Sequence, residues 1–335
     1  MINIISTCAT KSRVRGPQKV YTNLIKGLAN IGYPFVVNKD LNATRRLYIH
    51  DDKQALHHMG LSRAFKVVGP NLFGMPDEIT KEVNLEGVLY LQPCEWAKLI
   101  WEKAGFDACP IRIWPVGIDT DTFKPPGIGL SDKRVMVYHK RRDTDELRLI
   151  LDALYKLNLR YRIVIYGQYN EQEYLSLLKK TSFMIYLGCH ESQGIAMQEA
   201  MAFDIPILVC DAISVFQEVG VHYFEDSLKC FPVTSAPFFD ETCGIKITDL
   251  LQLKQSIEFM MDNLDGFSPR EYVLQHLSLE GRAKEFVKLW EHWELTFEHG
   301  MYETALTNKD WSIPLHRQIW GKVKRACKNQ ARGVG

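Results

Sequence analysis

The sequence lacks the cysteine pairs and the long apolar runs that mark several common protein classes. Its eight cysteines are scattered without a C-x-x-C pair, and several lie in apolar segments, which indicates reduced core residues of an intracellular protein. No apolar run approaches the roughly 18 residues that a transmembrane helix requires. The N-terminus lacks the basic and long apolar regions of a signal peptide. We therefore expect a cytoplasmic protein.

The sequence also lacks a surplus of charge and a dinucleotide fingerprint. Its 41 basic and 40 acidic residues leave a formal net charge of +1, so the overall charge does not predict nucleic-acid binding. The glycine pattern G-x-G-x-x-G is absent, which argues against a nicotinamide enzyme, and we expect no cofactor. With 46% hydrophobic residues over 335 positions, the chain is long enough to form two domains of ordinary size.

What the sequence does contain is a strand–helix–strand segment over residues 183–211. Its apolar runs at 183–187 and 207–210 are short and continuous, as in parallel strands that are covered on both faces. A helix is predicted between them, over residues 195–203. Gly194 lies at the turn into this helix, where a missing Cβ lets a ligand approach the backbone closely. The helix N-terminus that follows is suited to a phosphate group.

Two carboxylates, Glu191 and Glu199, flank this predicted phosphate site. A carboxylate repels phosphate, so we interpret both side chains as acceptors for hydroxyl groups. A ribose and a hexose both present such hydroxyls.

The second half of the chain alternates strands and helices with short loops, which predicts a doubly wound parallel sheet. Ligands bind such sheets at the carboxyl ends of the strands. Three segments with polar residues or glycines follow predicted strands, at residues 139–142, 167–169 and 188–194. We predict that Lys140 and Arg142 neutralise a diphosphate through charge-assisted hydrogen bonds. Gly167 is predicted to lie near a base or ribose.

The first half opens with a predicted strand, a loop, a helix that starts at Pro17 and a second strand, which together form a βαβ unit. Gly16 is predicted to let a ligand approach the loop backbone. Arg13 or Arg15 is a candidate phosphate contact, with a solvated loop as the alternative. Further strands are predicted at residues 47–50, 66–68, 88–91 and 111–114.

Three stretches resemble the family 4-like glycosyltransferases of the GT-B fold. E-S-Q-G-I-A-M-Q-E-A-M-A, at residues 191–202, resembles their E-x7-E signature. P-V-G-I-D-T-D-T-F-K-P, at residues 115–125, resembles their interdomain segment, and V-R-G-P-Q-K-V-Y-T-N-L, from residue 14, resembles their N-terminal opening. The resemblance implies an α/β protein with two Rossmann-like doubly wound domains that face a cleft.

The resemblance also implies an activity and a set of site residues. The activity is that of a retaining, metal-independent hexosyltransferase that moves a sugar from a nucleotide-diphosphate donor to a glycan, lipid-linked or other hydroxyl acceptor. Glu191 is expected to contact the donor sugar and Glu199 the nucleotide ribose, while Lys140 and Arg142 stabilise the leaving diphosphate. Together with the residues predicted above from their positions, the expected catalytic residues are Glu191, Lys140 and Arg142, and the expected donor-binding residues are Gly16, Gly167, Gly194 and Glu199. The D-x-D patterns that begin at Asp119 and Asp143 are interpreted as structural rather than as metal ligands.

The predicted domains are residues 1–122 on the acceptor side and residues 123–300 on the donor side, followed by a basic tail over residues 301–335. A C-terminal helix, predicted over residues 280–299, or the tail itself is expected to pack back on the first domain. The tail has the pattern of a basic amphipathic helix, so its other interpretation is peripheral contact with an anionic membrane surface.

The sequence is also compatible with other functions. A catalytically silent subunit that binds a glycan or protein partner would keep the same sheets, and a phosphorylase or sugar-nucleotide epimerase would share the fold. An inverting enzyme would need a base in the first domain, for which His50 is the candidate.

Overall fold

A computed structural model describes residues 1–10, 15–126, 134–220 and 224–298 of the chain. The described residues form two separate parallel β-sheets with helices on both faces of each. The first sheet contains β1 (Ile2–Ser6), β2 (Phe35–Val37), β3 (Arg46–His50), β4 (Phe65–Val68), β5 (Val88–Gln92) and β6 (Ile111–Ile113). The second contains β7 (Arg134–Lys140), β8 (Tyr161–Ile165), β9 (Thr181–Gly188), β10 (Ile207–Cys210) and β11 (Gly244–Ile247).

The α-helices of the described residues connect these strands or follow the second sheet. They are α1 (Gly16–Asn30), α2 (Lys53–His58), α3 (Glu95–Lys103), α4 (Thr144–Lys156), α5 (Glu171–Leu178), α6 (Ile195–Ala202), α7 (Leu253–Asp262), α8 (Pro269–His276) and α9 (Leu279–Glu298). Each sheet is packed on two sides because successive side chains of a strand point to opposite faces. Ile4 and Ile5, for example, join different hydrophobic clusters, and so do Val137 and Tyr138. The predicted α/β class with two doubly wound Rossmann-like sheets is confirmed.

Both sheets have a point where the chain reverses its direction of travel across the sheet. The strand order is β2-β1-β3-β4-β5-β6 in the first sheet and β11-β10-β9-β7-β8 in the second. The chain moves from β1 to one neighbour and then crosses back to the other, and it does the same from β7. Loops on either side of such a strand separate at its carboxyl end and leave a crevice. The crevices lie after β1 and β3 in the first sheet, and after β7 and β9 in the second.

The helix α9 leaves the second sheet and packs against the first. Gly27 of α1 allows this contact, because a Cβ at Gly27 would lie 2.8 Å from the carbonyl oxygen of Leu279. Phe286 and Trp290 of α9 are fully buried in the same hydrophobic cluster as β1 and α1. The expectation that this helix packs back on the first domain is therefore confirmed. The domain bounds stay a prediction, and the tail over residues 301–335 lies outside the described residues.

Two elements of the second domain were not expected from the sequence. The strand β11 is only four residues long and includes a glycine and a lysine, so its apolar pattern is too weak to predict a strand. The helix α7 buries Leu253, Ile257 and Met260, which recur at helical spacing. This apolar pattern is visible in the sequence, but it covers too few residues to predict a helix. Among the helices that the structure describes, none is long and apolar enough to cross a membrane.

Candidate active site in the cleft between the sheets

The two sheets face each other across a cleft that direct hydrogen bonds bridge. The indole Nε1 of Trp96, on α3, donates to the carbonyl oxygen of Glu191 over 2.8 Å. The side-chain amide of Asn71 donates to the hydroxyl of Ser192 over 2.6 Å. The loop between β9 and α6 is thus held by residues of the first domain, and it carries the predicted site residues.

Glu191 is a buried carboxylate with a defined partner for each oxygen. Its side chain accepts a hydrogen bond of 2.7 Å from the Tyr186 hydroxyl and pairs with Lys140 Nζ at 2.7 Å. Tyr186 reaches this position because Gly188 leaves room for its ring: a Cβ at Gly188 would lie 2.3 Å from the Tyr186 ring. Burial disfavours the charge of Lys140, but the Glu191 carboxylate outweighs burial and raises the Lys140 pKa. Glu191 and Lys140 therefore form an ion pair at the switch point of the second sheet.

Glu199 forms a second ion pair, and its partner comes from the other domain. Lys19 of α1 reaches across the cleft to both Glu199 oxygens, at 2.6 and 2.7 Å, and also pairs with Glu171 at 2.9 Å. Burial raises the pKa of Glu199 to about 7, although Lys19 opposes the shift. Burial also disfavours the charge of Lys19, but Glu199 and Glu171 together raise its pKa above the ordinary value. The ion pair between Lys19 and Glu199 thus joins α1 of the first domain to α6 of the second.

Gly194 forms the N-terminal cap of α6, as the sequence predicts. Its φ of 79° lies in the left-handed region, which a residue with a Cβ rarely adopts. No side chain caps α6 at this end, so its first backbone N–H groups have no side-chain acceptor. The positive end of the helix dipole therefore points toward the loop that carries Glu191.

The three adjacent basic residues 140–142, at the end of β7, differ in their surroundings. Lys140 lines the cleft, and so does Arg141, whose guanidinium pairs with Glu218 at 2.6 Å. Arg142 is only 4% exposed, and its guanidinium is bound by Glu146 and by the carbonyl oxygens of Gly188 and Cys210. It ties the carboxyl ends of three neighbouring strands together. In this geometry Arg142 is a structural residue, and the prediction that it contacts a diphosphate finds no support.

The remaining predicted site residues lie at a helix start, in a turn and at a strand end. Gly16 opens α1 and Gly167 forms the turn after β8 with a φ of 79°, and a Cβ at either position would meet open space. Arg15 is exposed beside Gly16, whereas Arg13 lies outside the described residues. His50 is buried at the end of β3, where its two ring nitrogens face backbone carbonyl oxygens at 2.9 and 3.3 Å. It is therefore not placed to act as a base in the cleft.

The D-x-D patterns serve local structure. Asp119 pairs with Lys26 at 2.5 Å and accepts a hydrogen bond from Thr122, and Asp143 caps the N-terminus of α4. Both uses agree with the structural interpretation of these residues.

One group of possible metal ligands does lie in the cleft. Ligand atoms of Cys189, His190 and Glu218 fall within 4.8 Å of one another. The Arg141 guanidinium already binds Glu218, and Lys140 is close enough to Cys189 to oppose the rise in its pKa. Two cations beside the group make it a poor site for a divalent ion.

Three residues of the site were not predicted from the sequence. The sequence pattern of α1 predicts that Lys19 faces solvent, and its contact with Glu199 depends on the tertiary fold. Trp96 gave no motif signal. Tyr186 is a hydroxyl-bearing residue inside an otherwise apolar strand, two positions before Gly188, and that placement is the one signal that was available.

Comparisons with known proteins bear on the fold. No protein-family model matches the sequence, and no match is found among curated proteins. Among solved structures, sucrose-phosphate synthase from Thermosynechococcus elongatus is similar, with a TM-score of 0.58 and 12% identity over 88% of this chain and 99% of that one. Anabaena HepE, solved in complex with UDP, is similar with a TM-score of 0.56 and 11% identity over 87% of this chain and 99% of that one. At these identities the likeness concerns the fold, and the chain has the two-domain GT-B architecture.

Proposed function

We propose that this protein is a glycosyltransferase that takes a sugar from a nucleoside-diphosphate sugar and moves it to a hydroxyl acceptor. The observation that carries the proposal is the placement of Glu191 and Glu199. Both are buried carboxylates near the switch point of the second sheet: Glu191 lies in the loop before α6, and Glu199 lies inside that helix, whose N-terminal N–H groups have no side-chain acceptor. Switch points are where open α/β sheets bind ligands. Two hydroxyl acceptors around an anion site match a sugar and a ribose joined by a diphosphate.

Each carboxylate is held by a lysine. Lys140 pairs with Glu191, and Lys19 pairs with Glu199. A donor would replace both pairs: its diphosphate would attract Lys140, and its sugar and ribose hydroxyls would donate to the two carboxylates. Lys19 would keep Glu171 as its partner, and the two carboxylates would keep hydrogen bonds, which avoids the large cost of an unpaired buried charge.

Bond cleavage would place negative charge on the leaving diphosphate. Lys140 and the N-terminal N–H groups of α6 are fixed before the reaction and would stabilise that charge. In the retaining mechanism that we propose, the leaving diphosphate takes the proton of the acceptor hydroxyl. The cleft itself would supply positioning rather than a dedicated base or a metal ion. UDP is the first nucleotide to test, because HepE was solved in complex with it.

Binding measurements test the nucleotide site. Calorimetric titration of the wild-type protein with UDP, GDP and ADP should detect one preferred nucleotide. Glu199→Gln should weaken its binding by about ten- to a hundredfold, because a hydrogen bond to a charged group contributes roughly 1.5–3 kcal/mol.

Glu258→Gln is the matched control, since Glu258 is partly exposed on α7, outside the cleft. It should bind the nucleotide as the wild type does. Equal affinity in the Glu199 and Glu258 variants would show that Glu199 does not contact the nucleotide.

A further inference from the structure

The second sheet ends, on the side of β8, in an apolar edge strand. β8 pairs with β7 on one side, and no other strand of the described residues pairs with its other side. Ile163 and Ile165 of β8 are each 39% exposed. The strand β11, at the opposite edge, contains a glycine and a lysine and has no exposed side chain. The β8 edge is therefore the less protected of the two, and an apolar edge of this kind pairs readily with another strand.

The outer side of β8 carries a row of backbone hydrogen-bonding groups. The carbonyl oxygen of Arg160 accepts from the N–H of Val135, and the N–H of Tyr166 donates to the carbonyl oxygen of His139, each over 3.0 Å. Backbone groups of successive residues in a strand point to alternate sides, so the even-numbered residues of this stretch face β7. The N–H and C=O groups of the odd-numbered residues 161–165 consequently point away from the sheet.

The same odd-numbered residues place their side chains on one face of the sheet. Tyr161 packs against the hydrophobic cluster that contains Ile150 of α4, whereas Val164 belongs to the cluster on the opposite face. Because side chains alternate along a strand, Ile163 and Ile165 lie on the α4 face as well. They form a partly exposed apolar strip beside α4, next to the outward-pointing backbone groups.

We propose that the β8 edge binds the β8 edge of a second copy of this chain, so that the two five-stranded sheets join across a two-fold axis. A two-fold axis perpendicular to the sheet makes the two β8 strands antiparallel and pairs one surface with itself. With the axis at Ile163, each Ile163 exchanges two hydrogen bonds with its equivalent, and Tyr161 exchanges two with Ile165 of the second copy. All the outward-pointing backbone groups of these three residues then have partners.

The side chains of β8 fit this pairing on the α4 face. Tyr161 lies opposite Ile165 of the second copy, and Ile163 lies opposite its equivalent, so every pair on this face is apolar. Aromatic and β-branched pairs of this kind stabilise antiparallel strands. Because the axis is perpendicular to the sheet, both α4 helices lie on the same side, and the apolar strip lies between them.

The charges of β8 select this register over a shifted one. On the face away from α4, Arg162 lies opposite Val164 of the second copy, and Arg160 lies opposite Tyr166, whose ring can accept a cation. An axis at Tyr161 would instead place Arg160 opposite Arg162 of the second copy. Like charges directly opposite each other destabilise a strand pair. The two arginines therefore leave the proposed register open and exclude the shifted one.

Sedimentation equilibrium of the full chain without nucleotide tests the proposal, and the wild type should form a dimer. Ile163→Lys should raise the dimer dissociation constant at least about tenfold, because it brings two ammonium groups together across the axis. Leu251→Lys is the matched control, since Leu251 is 91% exposed and lies outside β8. It should associate as the wild type does.

Disulfide formation tests the register in a protein that carries Cys230→Ser and Cys327→Ser. These changes remove the exposed cysteine of the described residues and the cysteine of the tail. Ile163→Cys in this protein should crosslink the dimer on oxidation, since the Cα atoms of a hydrogen-bonded antiparallel pair lie about 5.5 Å apart, within disulfide range. Tyr161→Cys should crosslink more slowly, because its equivalent lies further along the second strand. Faster crosslinking at residue 161 would contradict the proposed pairing.

Two results would overturn the proposal outright. One is a wild type that stays monomeric up to the highest soluble concentration; a lower melting temperature of Ile163→Lys would then indicate that another part of this chain, such as residues 301–335, covers the edge. The other is a dimer that Ile163→Lys weakens no more than Leu251→Lys does, which would place the contact on another surface. The inference concerns a sheet edge rather than the ligand cleft, so these outcomes leave the proposed function to its own test.

Discussion

Glu199 is the residue whose charge state most directly reports the proposed donor site. Burial raises its pKa to about 7, and Lys19 is its counter-ion from the other domain. Ribose hydroxyls donate to the ionised carboxylate more strongly than to the protonated acid. Donor binding should therefore favour loss of the Glu199 proton, and affinity should rise with pH until the carboxylate is fully ionised.

The expected pH dependence follows from that pKa. Between pH 6 and pH 8 a group with a pKa of about 7 passes from mostly protonated to mostly ionised, so affinity should increase by about tenfold. The measurement is calorimetric titration with a nucleotide-sugar, whose diphosphate exchanges no proton in this range. Glu199→Gln should bind weakly and with no such slope. The same slope in that variant would assign the titration to another group.

The placement of a site residue was predictable where it depended on local sequence and was missed where it depended on the fold. Gly194 lies at the turn into α6, as predicted, with Glu191 in the loop before it and Glu199 in the helix after it. The direction of Arg142 was not predictable, because three adjacent basic residues have no periodicity that separates buried from exposed. Lys19 was missed because its partner lies 180 positions away.

At the scale of secondary structure, the contact between α1 and α9 holds the C-terminal helix on the first domain. Gly27 lies at the closest approach, where a Cβ would be 2.8 Å from the Leu279 carbonyl oxygen and 3.1 Å from the Ala283 Cβ. Backbone atoms cannot move as easily as the end of a side chain, so the two helices would have to separate. The gain in helix propensity from replacing a glycine, up to about 1 kcal/mol, is smaller than the cost of overpacking.

Gly27→Ala should therefore lower the free energy of unfolding by about 1–2 kcal/mol, which is the overpacking cost less the gain in helix propensity. Denaturant unfolding monitored by tryptophan fluorescence measures this change, because Trp290 and Trp293 of α9 are buried in this cluster. Gly60→Ala is the control, since a Cβ at Gly60 would meet no atom within 4 Å. A Gly27→Ala protein as stable as the control would mean that α9 does not pack as closely as described.

The strands and helices of the sheets were largely predictable because their signal is local. Apolar runs of four to eight residues between turn residues predict buried parallel strands, and the alternation with helices predicts the sheet type. The strand β10 spans the predicted residues 207–210, and β3 and β5 each extend the predicted range by one residue. The strand β11 escaped prediction because it joins the edge of its sheet with little apolar pattern of its own.

At the scale of the whole molecule, the carboxyl ends of the two sheets face one cleft, and we propose that they bind one ligand together. Lys19 links the domains through Glu199, and Trp96 links them through the Glu191 carbonyl. A donor that binds at Glu199 would displace the first of these links and leave the second. Donor binding should thus change the contacts between the domains around α1 while α3 stays in place.

The most direct test of the central claim is release of nucleoside diphosphate from the nucleotide-sugar that binds. The proposal predicts that wild-type protein releases it at a rate above that of buffer, with water or an added glycan as acceptor. It also predicts that the freed or transferred sugar keeps the donor's anomeric configuration, as seen by NMR at early times. Glu191→Gln should release at least about tenfold less, a loss of 1.4 kcal/mol or more in transition-state stabilisation, whereas Glu258→Gln should match the wild type. Binding of the nucleotide-sugar without release by the wild type would contradict catalysis and identify a protein that binds the donor and does not transfer it.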